Sequence, residues 1–220
     1  MRIHKTPKKP IFFNRYIMKS FIELYFSYYL DELLAEGYID KWEYEVSTFK
    51  LSEGYSRSYQ KKLVTKVKES TEHILREASL TADFTIYWTI KAENLFYLNP
   101  RKPITTNVGD IPFRLGYEDE RLISFVETKG NVETTVSSSI SFPYKAKWAL
   151  QLHGAFVQKI KPFSYKAGKS ILFYNTFTPI KVLSNEIYKR DSKWGTQGTS
   201  KLKFTPRTLT EYIKDKYKII

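Results

Sequence analysis

The chain has 220 residues and no cysteine. This absence excludes disulfides, thiolate zinc sites, iron–sulfur clusters and cysteine nucleophiles, so any metal must be held by oxygen or imidazole ligands. Histidine is scarce as well, and the three imidazoles, His4, His73 and His153, lack the spacing of a ligand set. No G-x-x-x-x-G-K-[ST] phosphate-binding loop occurs, which disfavours an ATP-driven enzyme.

Long apolar runs are also missing. The longest aromatic-rich run, residues 21–30, is interrupted by Glu23 and is too short to span a bilayer. The basic segment MRIHKTPKKP lacks the apolar stretch and cleavage site of a secretory signal. We therefore expect a soluble, cytoplasmic protein without a membrane partner.

Positive charge is concentrated in two regions of the chain, whose formal net charge is +13. Residues 1–20 carry six Lys/Arg and no acid, and residues 156–220 carry fourteen Lys/Arg against four acids. Residues 21–155 are left with a net charge of −3. The basic regions would attract a polyanion such as DNA or RNA through counterion release. A basic surface that serves solubility or binds an acidic protein is the alternative.

The apolar pattern predicts an α/β or α+β domain with antiparallel pairing at the centre of its sheet. Spacings of three and four residues predict a helix over 19–36 that stops at Gly37. The Lys-rich segment 58–78 predicts either a strand edge or a short helix. Further predicted elements are strands over 38–51, 81–90, 121–129, 155–163 and 171–183, a helix from Tyr144 to Gly154 with Pro143 at its start, and a terminal helix over 207–220.

Charged residues end the predicted strand 121–129. Alternation puts Glu127 and Lys129 on one face, about 7 Å apart along the strand, which alone is typical of a solvated strand end. If strands 81–90 and 121–129 are antiparallel neighbours, Asp83 lies beside Glu127. Two converging carboxylates are costly unless a cation lies between them, and a hard divalent ion satisfies both. With an adjacent lysine, this arrangement suits phosphodiester hydrolysis.

Glu23 interrupts the apolar stripe of the first predicted helix. It shares the inward face with Phe26, Leu30 and Leu34. Charged side chains are seldom buried unless they are paired. Glu23 is therefore either a third acidic ligand or a salt-bridge partner of a lysine that lines the core, and the sequence leaves both open.

The order of these features resembles the PD-(D/E)xK nuclease superfamily, and more narrowly the small phage-encoded endonucleases related to Holliday-junction resolvases. The resemblance covers about residues 16–160 and rests on 20-SFIELYF-26, 81-TADFTIYW-88, 126-VETKG-130 and 142-FPYKAKWALQLHG-154. The chain departs from the family in two ways. Ala82 replaces the proline of the superfamily's name, and the 30-residue connection 91–120 is longer than in compact members.

The resemblance implies a restriction-endonuclease-like fold, a mixed β-sheet flanked by helices. It implies Mg²⁺ or Mn²⁺ held by Asp83 and Glu127, catalytic support from Lys129 and an accessory acid at Glu23. It also implies that the site or the scissile phosphate is faced by a residue of the following helix, namely Lys145, Lys147 or Gln151.

The expected function is a metal-dependent DNA endonuclease, phage-encoded, acting in recombination, replication or genome processing in the host cytoplasm. The alternative is a non-enzymatic nucleic-acid-binding or virion-associated protein on the same fold, with the acid–lysine cluster as a structural salt bridge. Besides DNA, a homodimer and phage replication or packaging proteins stay open as partners.

The predicted organisation is a basic arm (1–15), a nuclease core (16–163) and a basic extension (164–220). Cations and aromatics alternate in the extension, a combination that can track a nucleic-acid backbone while stacking on bases. A solvated cationic face or a surface for a partner protein fits the same pattern. The cations expected to bind nucleic acid there are Lys166, Lys169, Lys189, Arg190 and Lys193.

Overall fold

The structure, a computed structural model, describes residues 11–13, 16–99, 111–117, 121–129, 136–163, 171–183 and 204–217. It is a mixed α+β fold. In chain order the elements are β1 (Ile11–Phe13), β2 (Tyr16–Met18), α1 (Phe21–Ala35), β3 (Ile39–Tyr44), β4 (Thr48–Ser52), β5 (Tyr55–Lys62), β6 (Val67–Leu75), β7 (Ala78–Thr81), β8 (Phe84–Trp88), β9 (Tyr97–Leu98), β10 (Phe113–Arg114), β11 (Ile123–Thr128), α2 (Val136–His153), β12 (Val157–Ile160), α3 (Leu172–Asn175), α4 (Ile180–Leu183) and α5 (Leu209–Tyr217).

Helix α1 confirms the first predicted helix. The Ser20 side chain caps it by accepting a hydrogen bond from the Glu23 amide at 3.2 Å. Gly37, at φ 70°, ends it, and the Tyr38 amide donates back to the Leu33 carbonyl at 2.9 Å. Leu34 does not belong to the inward stripe as predicted, because it is 41% exposed.

A four-stranded mixed sheet in the order β12-β11-β8-β3 forms the centre of the fold. β11 runs parallel to β12 and antiparallel to β8, which confirms the predicted antiparallel pairing of the two strands. One face of the sheet packs against α1, where the Phe26 and Phe84 rings meet edge to face at 4.9 Å. The other face packs against α2, with Phe125 and Ala149 in a second apolar cluster.

Two predicted strands are each broken in the structure. Segment 38–51 divides into β3 and β4 around Glu45, whose φ is 52°, and segment 81–90 divides into β7 and β8 around Asp83. The Glu45 amide donates to the Asp83 carbonyl at 2.9 Å, so the breaks are side by side. Beyond them β4 and β7 pair antiparallel in a separate ladder. Ala82 therefore joins the second cluster, whereas Phe84 belongs to the first.

The second helix is longer than predicted. α2 begins at Val136 and contains Pro143, which was expected at its start. Phe142 and Ala146, on either side of Pro143 in the sequence, pack against the second cluster. This tertiary packing outweighs the low helix propensity of the proline. Trp148 of this helix is 46% exposed.

The predicted strand 171–183 is wrong, because this segment forms the short helices α3 and α4. Its aromatic residues favour a strand locally, but Phe173 and Phe177 stack on Tyr29 of α1 at 5.7 and 4.2 Å. Burial against a helix surface, rather than pairing in a sheet, decides the conformation here.

The segment after α4 returns to the same core. α5 confirms the predicted terminal helix, and a capping box joins Thr208 to Glu211, with the Glu211 carboxylate accepting from the Thr208 amide at 2.7 Å. Tyr212 is fully buried in the first cluster and donates to the Leu95 carbonyl at 2.9 Å. The boundaries at residues 15 and 163 stay predictions.

None of the helices in the described segments is both long enough and apolar enough to cross a membrane.

Replacing Phe177 by Ala should lower the free energy of unfolding by roughly 3–5 kcal/mol, because the ring is fully buried between Tyr29 and Phe96. Ile180→Ala, in the same segment but 65% exposed, is the control and should cost less than about 1 kcal/mol. Urea unfolding of both variants measures the difference. Equal effects would contradict the packing of residues 171–183 on α1.

Candidate functional site

Asp83 lies in the break between β7 and β8, beside the end of β11. Its Oδ2 accepts two hydrogen bonds, from the Thr128 amide at 2.7 Å and from the Thr128 hydroxyl at 2.9 Å. Within the described part of the chain, only Thr128 donates to this carboxylate. Oδ1 accepts no hydrogen bond from any residue that the structure describes.

Glu127 comes next to Asp83 because of the strand register. Val126 pairs with Phe84, so Glu127 stands one residue beyond the last pair of the β8–β11 ladder, opposite the break. Its side chain is 14% exposed and forms an ion pair with the Lys129 ammonium group. The Lys129 amide donates to the Ile160 carbonyl at 2.8 Å, which holds the lysine backbone against β12. The structure thus brings together the three residues that the sequence predicts as the centre of the site.

The carboxylates of Asp83 and Glu127 repel each other when both are ionised. Burial first, and then repulsion by the Glu127 carboxylate, raise the pKa of Asp83 to about 7. The Thr128 hydrogen bonds act in the opposite direction, and the Glu23 carboxylate adds to the repulsion. Near neutral pH this carboxyl group consequently exchanges between a protonated form and a charged form that a cation would stabilise.

Glu23 is held by three donors at the start of α1. Its Oε2 accepts from the Tyr44 hydroxyl and from the Lys19 amide, both at 2.7 Å, and its Oε1 accepts from the Ser20 hydroxyl at 3.0 Å. The ammonium group of Lys19 pairs with Glu45 instead. Glu23 therefore fixes the helix start and lies close enough to Asp83 to raise its pKa.

The sequence missed three neighbours of the site. Lys19 carries a positive charge whose attraction to Glu45, Glu23 and Asp83 raises its own pKa, the hydrogen bond to Glu45 being the largest cause. Burial and the hydrogen bond to Glu23 raise the pKa of Tyr44. Glu45 and Tyr44 gave no signal because they fall inside what reads as one continuous strand, whereas Lys19 directly precedes the Ser20 cap and could have been noticed.

The predicted phosphate-facing residues of α2 are not joined to this cluster. Lys145 donates to the Ser79 carbonyl at 3.0 Å. The side chains of Lys147 and Gln151 are exposed and form no hydrogen bond or ion pair with any described residue. The cations predicted to bind nucleic acid in the extension lie outside the described residues: Lys166, Lys169, Lys189, Arg190 and Lys193.

Asp83 and Glu127 are the acidic side chains of the site that could hold a metal ion. Across the described ranges, no group of three or more His, Asp or Glu is placed to hold one. Asp83 and Glu127 would supply two hard carboxylate ligands, and burial together with the Glu127 charge raises the pKa of Asp83. Mg²⁺ is commonly bound by one or two carboxylates while it keeps several waters. The residues present thus fit a hydrated ion, not a cage made entirely of protein ligands.

Comparison of the chain with protein-family models, curated proteins and solved structures found no match. The chemistry open to the site follows from its own groups. Two adjacent carboxylates can share a cation, and an ammonium group two residues along the strand can donate to an anion or a water molecule.

In metal-free buffer, Asp83→Asn should remove a pH dependence of stability. The folded pKa of about 7 exceeds the ordinary value of 3.8, so native Asp83 binds more protons than the unfolded chain between these values. The free energy of unfolding of the wild type should therefore fall as pH rises through this interval, by on the order of 4 kcal/mol in all. The variant should lack this fall, so its stability relative to the wild type should improve as pH rises.

Urea unfolding in EDTA from about pH 5 to about pH 8 measures the effect. Asp40→Asn, which removes an exposed carboxylate outside the candidate site, is the control. A constant difference between the wild type and Asp83→Asn across the range would refute the raised pKa.

Proposed function

We propose that the chain is a divalent-metal-dependent endonuclease that hydrolyses DNA phosphodiester bonds on a restriction-endonuclease-like fold. The observation that carries the proposal is the meeting of Asp83, Glu127 and Lys129 where β11 reaches the break before β8. A phage origin and a role in recombination, replication or genome processing in the host cytoplasm belong to the same proposal. They rest on the resemblance of the sequence motifs.

Asp83 and Glu127 are the residues that would hold the ion, Asp83 through the Oδ1 atom that Thr128 leaves open. Bound Mg²⁺ or Mn²⁺ supplies a water ligand of lowered pKa and neutralises charge that develops on the phosphoryl oxygens. Thr128 keeps the Asp83 carboxylate in one orientation, because its amide and its hydroxyl bind the same oxygen. This rigidity reduces the rearrangement that a ligand would demand.

Lys129 acts on the substrate side of the pair. Its ammonium group is held beside Glu127, and its amide is fixed to β12 through the Ile160 carbonyl. Once Glu127 serves as a ligand, Lys129 donates to the attacking water or to a non-bridging phosphate oxygen. Because its backbone is fixed, this flexible side chain has fewer conformations to lose when its ammonium group binds the substrate.

Glu23 is a positioning residue in this proposal. It ties Tyr44 and the cap of α1 together behind Asp83, and its charge favours the presence of a cation. Lys19, whose charge interacts with the same acids, adds positive potential for the approach of a phosphate.

A second candidate function is nucleic-acid binding without catalysis, or a virion-associated role, on the same fold. The observation that favours it is the ion pair of Glu127 with Lys129, which satisfies both charges within the protein. In that case the acid–lysine cluster stabilises the end of β11 and has no reaction to perform.

Asp83→Asn, Glu127→Gln and Lys129→Ala should each reduce Mg²⁺-dependent nicking of plasmid and branched DNA by about 100-fold or more, because each removes a group placed at the developing charge. Lys91→Ala is the matched control and should nick at the wild-type rate. It removes an exposed lysine whose ammonium group, among the described residues, contacts the Glu36 carbonyl and the Tyr38 ring. Gel assays in Mg²⁺ and in Mn²⁺ measure the rates. Loss of nicking with retained DNA binding supports the enzyme, whereas wild type without activity in either metal supports the binding protein.

Metal binding has a readout that does not depend on activity. Mg²⁺ or Mn²⁺ at about 100 times its dissociation constant should raise the free energy of unfolding of the wild type by about 2.7 kcal/mol. Asp83→Asn and Glu127→Gln should lose most of this gain, while Asp40→Asn should keep it. Thermal unfolding with and without metal near pH 8 measures it. An equal gain in all four proteins would place the ion elsewhere.

A further inference from the structure

A long hairpin leaves the core between β4 and β7. Its strands, β5 and β6, pair antiparallel from Tyr55 opposite Leu75 to Lys62 opposite Val67. Every residue of the two strands is exposed except Ser70, which is intermediate. An isolated two-stranded hairpin is at best marginally stable in water. The hairpin therefore presents a large surface that the fold itself does not use.

Positive charge is concentrated at the tip of this hairpin. Residues 60–68, QKKLVTKVK, contain four lysines and no acid, although residues 21–155 as a whole are net negative. The first ion pair of the ribbon, Arg57 with Glu72 at 2.9 Å, lies towards its base. None of the four tip lysines forms an ion pair or a hydrogen bond with a described residue through its ammonium group.

Two of these lysines are directly opposed. The register places Lys61 opposite Lys68, on the face that also carries Tyr59, which is 44% exposed. Like charges directly opposite one another destabilise a strand pair. A polyanion bound to this face would neutralise both ammonium groups. Binding would therefore remove the repulsion that destabilises the strand pair in the free protein.

The tip of the hairpin also exposes apolar side chains among its lysines. Val64 in the loop is fully exposed, and Leu63 and Val67 beside it are 38% and 59% exposed. Lysines that served only to keep the ribbon soluble would not need apolar residues among them. Apolar side chains flanked by cations instead fit a duplex, where the lysines meet phosphates and the apolar tip meets base edges such as the thymine methyl group.

We propose that the β5–β6 hairpin is a DNA-binding ribbon that enters the major groove of duplex DNA, with Lys61 and Lys68 at the phosphates. The major groove, about 12 Å wide, admits a two-stranded ribbon. The ribbon is rooted in the β4–β7 ladder, which ends at the Asp83 break. Lys68 is fifteen residues from Asp83, at most about 50 Å of chain, so the ribbon meets DNA within about one and a half helical turns of the candidate site. The choice of DNA rests on the proposed function.

The test is binding of a duplex of about 30 base pairs, followed by fluorescence anisotropy in EDTA from about 50 to about 200 mM salt. The double variant Lys61→Gln/Lys68→Gln should bind about 10-fold more weakly, and the slope of log affinity against log salt should shrink by about 2, since each phosphate contact contributes about 0.9. Lys61→Arg/Lys68→Arg, which keeps both charges, should keep the slope.

The matched control is Lys41→Gln/Lys91→Gln, which removes two exposed lysines outside the hairpin. It should change affinity by less than about twofold and leave the slope unchanged. Circular dichroism and thermal unfolding establish that the hairpin variant is folded, as expected from the removal of a like-charge pair.

Three outcomes would overturn the inference. One is wild-type affinity and slope in Lys61→Gln/Lys68→Gln. Another is aggregation of this variant with unchanged affinity, which would make the lysines a guard against edge-to-edge association. The third is loss of binding to phosphatidylserine vesicles with DNA binding intact, which would make the tip a membrane-surface contact.

Because binding is measured without metal, the ribbon and the endonuclease fail separately. A wild type that binds through the hairpin but never nicks DNA overturns the endonuclease alone. A wild type that nicks DNA while the hairpin variant binds equally well overturns the ribbon alone.

Discussion

The hydrogen bonds from Thr128 to Asp83 are the contact on which the arrangement of this protein depends. They fasten the end of β11 to the break between β7 and β8 at a point where no regular ladder continues. The Asp83 carbonyl accepts from Glu45, so the same residue also fastens the break between β3 and β4. One aspartate thereby sets the place of Glu127, the turn of the chain out of the central sheet and the root of the hairpin.

Packing around the Thr128–Asp83 contact makes it rigid. It also raises the free energy needed to ionise the Asp83 carboxyl group. Phe26 and Phe84 close one face of the sheet, and Phe125 and Ala149 close the other. Asp83, in the break beside this sheet, is partly withdrawn from water. A carboxylate in such a place loses solvation, and the neighbouring Glu127 adds repulsion. The fold sustains this local instability because a large aromatic core supports it. In the proposed function, this rigid pair of carboxylates would bind a cation without rearranging.

The sequence predicted the parts of the site that follow from periodicity. The alternation along 121–129 and the position of Asp83 in a strand-like run were enough to predict that Asp83 lies beside Glu127 and Lys129. Antiparallel neighbouring strands allow few registers. The breaks at Glu45 and Asp83 were not predictable, since both flanking runs have the composition of continuous strands. The helical segment 171–183 was missed because its aromatic residues contact Tyr29, 140 or more positions earlier in the chain. Local propensity carries no information on such a contact.

The sequence anticipated the hairpin only in part, as a Lys-rich strand edge or short helix over 58–78. Only the register of β5 with β6 reveals that Lys61 and Lys68 stand opposite one another. The β4–β7 ladder links the hairpin to the Asp83 break by a short run of paired backbone. In the proposed function, DNA held by the ribbon would therefore approach the carboxylates from a restricted direction. Selection of a cleavage position then follows from the geometry of the scaffold, without the paired acids having to recognise bases.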